Sequence, residues 1–222
     1  MNSRSRSEDT AAREAAAATL AEYDRMAEAF RHRTSDHDVS QNIKALLDAI
    51  DGAPPHTILD FGCGPGRDLR AFAELGHEVT GLDGSAELVA LARARINCPV
   101  LHQDFLDLRL PSAHFDGIFA NASLFHVPSS QIKRVLAELA AALKPRGVLF
   151  CSNPRGENEE GWVGGRYGCF YDLTTWRALT TGAGFTEVHH YYRPPGRRRA
   201  EQPWLATVWR KSDDVDAATA PR

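Results

Sequence analysis

The chain has 222 residues, 43% of them hydrophobic, enough for one α/β domain with a buried core. Its formal net charge of −3 offers no positive field to gather nucleic acid or anionic lipid, which argues against both as partners. No run of ~18 or more apolar residues is present to cross a membrane.

Residues 1–12 mix arginine and serine with Glu8 and Asp9, which opposes a transit peptide and reads as a disordered lead. From 10 to 31, Leu20, Tyr23, Ala27 and Phe30 recur at helical spacing, and residues 40–50 form a second amphipathic stretch ending at Asp51-Gly52. Strands and helices then alternate: strand 57–61, helix 66–75, strand 78–83, helix 86–96, strands 100–103 and 115–120, helix 131–143 and strand 148–152. Asp172 is placed to cap a further helix, and strands 186–192 and 203–209 close the pattern. This alternation predicts a doubly wound, Rossmann-like α/β sheet covered on both faces. The expected domain spans 13–211, with N-terminal lid helices at 13–52, an insertion at 153–171 and a disordered tail at 212–222.

Cys63, Cys98, Cys151 and Cys169 stand far apart with no CxxC pair. They predict neither a disulfide framework nor a metal site, and they favour a reducing, cytoplasmic compartment.

The stretch ILDFGCGPGRDLRAFAELGHEVTGLDGS, starting at Ile58, carries the chemistry. A buried strand runs through Asp60 into a loop containing Gly62, Cys63, Gly64 and Gly66, and the next strand ends in Asp83. In doubly wound sheets ligands bind beyond the carboxyl ends of the strands, where this loop lies. Glycines admit a ligand against the backbone, and an acid ending the second strand can hold both hydroxyls of a ribose. The spacing is GxGxG, not the GxGxxG of dinucleotide enzymes. A carboxylate at Asp60 opposes a pyrophosphate and suits a ligand with an ammonium and a sulfonium. S-adenosylmethionine is such a ligand.

With these residues in view, the chain resembles the class I S-adenosylmethionine-dependent methyltransferases from about Tyr23 to Trp209. The first motif reads ILDFGCGPG, the ribose motif GLDGS and the adenine-side motif QDFLDL. The fourth-strand motif reads FDGIFANASLFHV, the turn into the fifth strand LKPRGVLFCSNP with Arg146 where a glycine is usual, and the last helix ends in TTGAGFTEV. The resemblance implies a seven-stranded sheet, mostly parallel with its last strand antiparallel. It implies Asp60 and the Gly62–Gly66 loop at the methionine part of the cofactor, Asp83 on the ribose, and Gly84 and Ser85 beside the adenine. Asp104 and Phe105 are expected at the adenine ring, and Asn121 and Ala122 near the amine. YDRMAEAF is similar to the lid of small-molecule members, placing Tyr23 and Phe30 over the site, although both read equally well as core residues.

For the acceptor, the insertion at 153–171 and the hairpin at 191–204 fall outside the common scaffold. The first supplies Asn153, Arg155, Trp162, Arg166, Tyr167 and Tyr171 among five glycines, and His37 is a further contact candidate. Aromatic walls with arginines suit a flat or anionic small molecule. His126 and Tyr167 are the candidate catalytic groups, with His126 placed to take a proton or to pack. His189 and His190 are strand neighbours on opposite faces and cannot chelate together. The expected reaction is methyl transfer to a nitrogen, oxygen or sulfur of a small metabolite. The rival readings are a non-catalytic S-adenosylmethionine-binding regulatory module and an NAD(P)-dependent oxidoreductase.

Overall fold

Short apolar runs, too brief for helices and buried on both faces, make the central strands β1 (Thr57–Phe61) and β4 (Phe115–Asn121). Around them lie β2 (Glu78–Asp83), β3 (Val100–His102), β5 (Leu143–Pro154), β8 (Phe185–Arg193) and β9 (Trp204–Lys211), in a computed structural model that describes residues 3–213. The sheet order is β3-β2-β1-β4-β5-β9-β8. Neighbours from β3 to β5 are parallel, and only β9 runs against the rest, pairing antiparallel with both β5 and β8. The seven strands and the single reversed strand, last in sequence, are those implied by the resemblance.

Among the described residues, five α-helices cover the two faces of the sheet and a sixth lies at its edge. On one face α2 (Ser40–Leu47), α3 (Arg67–Glu74) and α4 (Ala86–Arg93) bury Leu46, Leu69, Phe72 and Val89 against Ile58 and Phe119. On the other, α5 (Ile132–Ala142) and α6 (Leu173–Gly182) bury Ile132, Leu136, Leu139 and Trp176 against Leu59, Phe61 and Leu149. Strand order reverses between β1 and β4, and there the carboxyl ends open a crevice. The long helix α1 (Ser3–Thr34) lies along that crevice.

Two expectations change. Residues 3–12, read as a disordered lead, belong to α1, whose alanine-rich sequence favours helix and whose Ala12 and Ala16 join the core. The tail from residue 214 lies outside the described residues. The insertion at 153–171, expected as a substrate loop, folds in part as a hairpin, with β6 (Glu159–Val163) and β7 (Arg166–Phe170) paired antiparallel. Gly164 and Gly165, with φ of 56° and 77°, form its two-residue turn, which needs positive φ at both positions.

Candidate functional site

The end of β1 turns sharply at Gly62, whose φ is 80° and where an added Cβ would come within 2.4 Å of the Ser123 Cβ. Only glycine fits, so the backbone from Gly62 to Gly64 lies open as a cavity floor. Asp83, at the tip of β2, accepts from Gly64 N–H at 2.8 Å and Ser85 N–H at 2.9 Å. Burial pushes its carboxyl up, while these N–H groups pull the other way. Beyond β3, Asp104 accepts from Leu106 N–H at 2.8 Å, and Phe105 stacks on Phe61 with centroids 4.2 Å apart.

At the end of β4, Asn121 joins a polar chain. Its Nδ2 donates to Asp68 Oδ2 and its Oδ1 accepts from Asn42 Nδ2, both at 3.0 Å, while Tyr191 donates to Asn42 Oδ1 at 2.8 Å. Arg67 holds Asp68 through two bonds, at 2.6 and 2.9 Å, and donates to the Thr34 carbonyl at 2.8 Å. Ala122 follows in the left-handed region, with φ of 62°. For a non-glycine residue that is local strain of a kind found at functional sites.

Helix α1 closes the far side. Asp24 accepts from Ser85 Oγ at 2.6 Å, and Leu20 packs where a side chain on Gly84 would lie. Thr19 accepts from Tyr167 N–H at 2.9 Å, tying α1 to β7. Tyr23 Oη lies 2.8 Å from His126 Nε2, and Arg166 Nη1 donates to Tyr23 Oη at 3.2 Å. His126 Nδ1 lies 2.6 Å from the Tyr167 carbonyl. Burial first, and then the Arg166 charge, bring the His126 pKa down to about 4, against the pull of that carbonyl. The ring is therefore neutral at neutral pH.

These parts enclose one cavity of about 880 Å³, near the upper end of the ~300–1,000 Å³ found for small-molecule sites. It brings together Tyr23, Phe30, Gly62, Cys63, Gly64, Asp83, Gly84, Asp104, Phe105, Asn121, Ala122, His37, His126 and Arg166. Phe170, among the aromatics of the insertion, also lines the wall, as do Phe125, Gly168, Arg33, Arg67 and Arg193, which were not singled out in the sequence.

Eight expected residues lie outside the wall. Asp60 shares the face of β1 with Ile58, so its carboxyl points beneath α3, where Leu69 N–H reaches it. It is 1% exposed, its Oδ2 lacks a partner, and burial pushes its pKa well up. Gly66 is the left-handed N-cap of α3, packed on Ile96 and Ala92. Ser85 caps α4 and spends its hydroxyl on Asp24. Asn153 is buried in the β5–β9 pairing, and Arg155 reaches the Arg199 carbonyl. Alternation in the hairpin decides the other three: Val163, Arg166, Gly168 and Phe170 share the cavity face, so Trp162 and Tyr167 pair on the opposite one. Trp162 is 55% exposed, and Tyr171 stacks on Trp176. Tyr167 serves the site through its backbone, not its ring.

The glycine floor and the doubly held Asp83 at the cavity fit a cofactor whose ribose hydroxyls lie against open backbone. A family model described as a methyltransferase domain matches residues 58–147. An uncharacterized methyltransferase of Mycobacterium tuberculosis is 34% identical over 108 residues, covering 47% of this chain and 54% of that protein. A trans-aconitate 2-methyltransferase of Azoarcus sp. is 37% identical over 107 residues, covering 46% and 41% respectively. The chain thus spans about half the length of the relatives it matches in sequence. Among solved structures, a Burkholderia thailandensis 1,6-didemethyltoxoflavin-N1-methyltransferase with bound S-adenosylhomocysteine superposes with TM-score 0.74, at 25% identity, over 91% of both chains. Fold, glycine loop and ribose acid agree with these matches: residues 58–147 match a methyltransferase domain, and the chain has the fold of S-adenosylmethionine-dependent methyltransferases.

Proposed function

We propose that the protein transfers a methyl group to a nitrogen, oxygen or sulfur of a small anionic or aromatic metabolite, in the cytoplasm. What supports this reading is the continuity of the cavity from the glycine floor and Asp83 to Arg166 and Arg193. Both arginines have a buried Nε without a partner, and neither donates to a carboxylate among the described residues. Both guanidinium groups are half-buried, with only the longer-range charges of Glu22 on Arg166 and Asp38 on Arg193, and their unmet N–H groups suit an anionic ligand. Aconitate, named for the Azoarcus relative, is a carboxylate. The four cysteines are free, in keeping with a reducing compartment.

When bound, S-adenosylmethionine supplies an electrophilic methyl on a sulfonium. Asp83 and the Gly62–Gly64 backbone hold the ribose side, and Asp104 with Phe105 holds the adenine side. Arg166, Phe170 and Phe125 orient the acceptor, and α1 excludes water. Holding the acceptor atom ~3–3.5 Å from the methyl, in line, is the main source of rate.

The test joins binding to turnover. S-adenosylhomocysteine at ~100 times its Kd is expected to stabilise the fold by about 2.7 kcal/mol, and NAD is expected to give no shift. Labelled methyl transfer is then followed with carboxylates, phenols and heteroaromatics. A shift with NAD alone overturns the reading, and tight cofactor binding without turnover of any acceptor favours the regulatory module.

A further inference from the structure

Resting on that reading of methyl transfer, we propose that the acceptor carries an acidic O–H or aromatic N–H, and that Tyr23 passes its proton to His126. The hydrogen bonds fix the direction of this path. The Tyr167 carbonyl can only accept, so His126 Nδ1, at 2.6 Å, bears the hydrogen. In a neutral ring Nε2 is then the lone-pair nitrogen, and Tyr23 Oη, at 2.8 Å, donates into it. Tyr23 Oη has two lone pairs. Arg166 Nη1 donates into one at 3.2 Å, which leaves the other for a donor in the cavity that all three side chains line.

The proton balance closes. The acceptor's proton moves to Tyr23 Oη as Tyr23's own proton moves to His126 Nε2. The acceptor keeps the electron pair with which it takes the methyl, and His126 becomes an imidazolium still donating from Nδ1 to Tyr167. Water later removes that proton. Tyr23 touches the acceptor, while His126 acts through it.

Charges around the pair assign the acceptor's other half. Arg166 from β7 and Arg33 from α1 face Tyr23 as cations and Asp83 from β2 faces it as an anion; Arg166 also faces His126 and, on its other side, Glu22 of α1. Burial and Arg166 keep His126 unprotonated, ready but weakly basic. An anionic group of the acceptor on Arg166 cancels part of that repulsion, so the substrate itself raises the basicity of its proton acceptor. Thioethers and tertiary amines bring no proton and make no use of this path.

The structural alternative is that the Tyr23–His126 bond only fastens α1 over the cavity. The probe 4-nitrophenol separates the two, because its absorbance distinguishes phenol from phenolate. It is added to protein saturated with S-adenosylhomocysteine, at a pH below its own pKa. The parent is expected to bind it as phenolate, with the ¹⁵N signals of His126 turning to imidazolium. Tyr23→Phe is expected to bind it as neutral phenol, or about tenfold more weakly, with a melting temperature close to the parent's. His126→Gln repeats the test, and where it does not fold the Tyr23→Phe result decides. A parent that leaves the probe neutral or unbound, or a Tyr23→Phe protein that keeps the phenolate spectrum, overturns the proton path. Calorimetry with S-adenosylhomocysteine runs in parallel: failure to bind it sinks the methyl-transfer reading, whereas binding it with a neutral probe sinks the proton path alone.

Discussion

Arg146 holds a φ of 61° in the turn that leads β5, a left-handed conformation that costs a side-chain-bearing residue about 1–2 kcal/mol. Its ion pairs with Asp51 at 3.0 Å and Asp213 at 3.7 Å are about half exposed and offset at most ~1 kcal/mol. Arg146→Gly is therefore expected to stabilise the protein by about 1 kcal/mol, seen as a melting temperature ~2–4 °C higher. At His126 the sign runs with pH. Its pKa is about 4 when folded against an ordinary 6.5, so the unfolded chain binds the extra proton between those values. Stability rises from pH 4 to 6.5 and is lost as pH falls, by up to about 3 kcal/mol from this group. Urea melts at pH 5 and pH 7 are expected to differ less for His126→Gln than for the parent. Asp83→Ala is expected to weaken S-adenosylhomocysteine binding at least tenfold by calorimetry, since hydrogen bonds to a charged group contribute about 1.5–3 kcal/mol each. It also frees Gly64 N–H, so some loss of stability accompanies it. Asp83 was legible because it ends a strand next to a glycine loop. The direction of Asp60 was not, because position in a strand does not say which face meets α3.

At the scale of elements, the β6–β7 hairpin shows how period decides role. Arg166 and Phe170 face the cavity, whereas Trp162 and Arg155 do not. Arg166→Ala and Phe170→Ala are expected to raise the acceptor's KM or lower kcat severalfold, with S-adenosylhomocysteine affinity unchanged. Trp162→Ala and Arg155→Ala are expected to leave both unchanged. Equal acceptor kinetics in all four variants would place the acceptor elsewhere in the cavity. The hairpin itself was written in the Gly164-Gly165 pair between alternating residues, a turn signal hidden among the other glycines of the insertion. The strands and helices from 57 to 142 were readable to within a few residues because their apolar periods are clean. Helix α1 was not readable at its start, since between residues 6 and 16 it buries only the small side chains of Ala12, Ala15 and Ala16.

In the whole molecule, site and core are joined through elements distant in sequence. Asn42 from α2, Asn121 from β4 and Tyr191 from β8 meet in one polar chain, which no local pattern announces. The Tyr23–His126 contact likewise links residues 103 apart. The position of β9 has a further consequence. The last of the described strands is an interior strand of the sheet, made after both its neighbours and inserted between β5 and β8. Trp209 on it is fully buried, and Thr207 accepts from the indoles of both Trp176 and Trp209. While the chain is still being synthesised, β5 and β8 therefore present open edges with no neighbour to pair, a state that invites association with other chains. A chain ending at residue 203 is expected to remain protease-sensitive and to aggregate in pulse-proteolysis and light-scattering measurements. Birth of this protein thus includes a waiting period, ended only when β9 emerges.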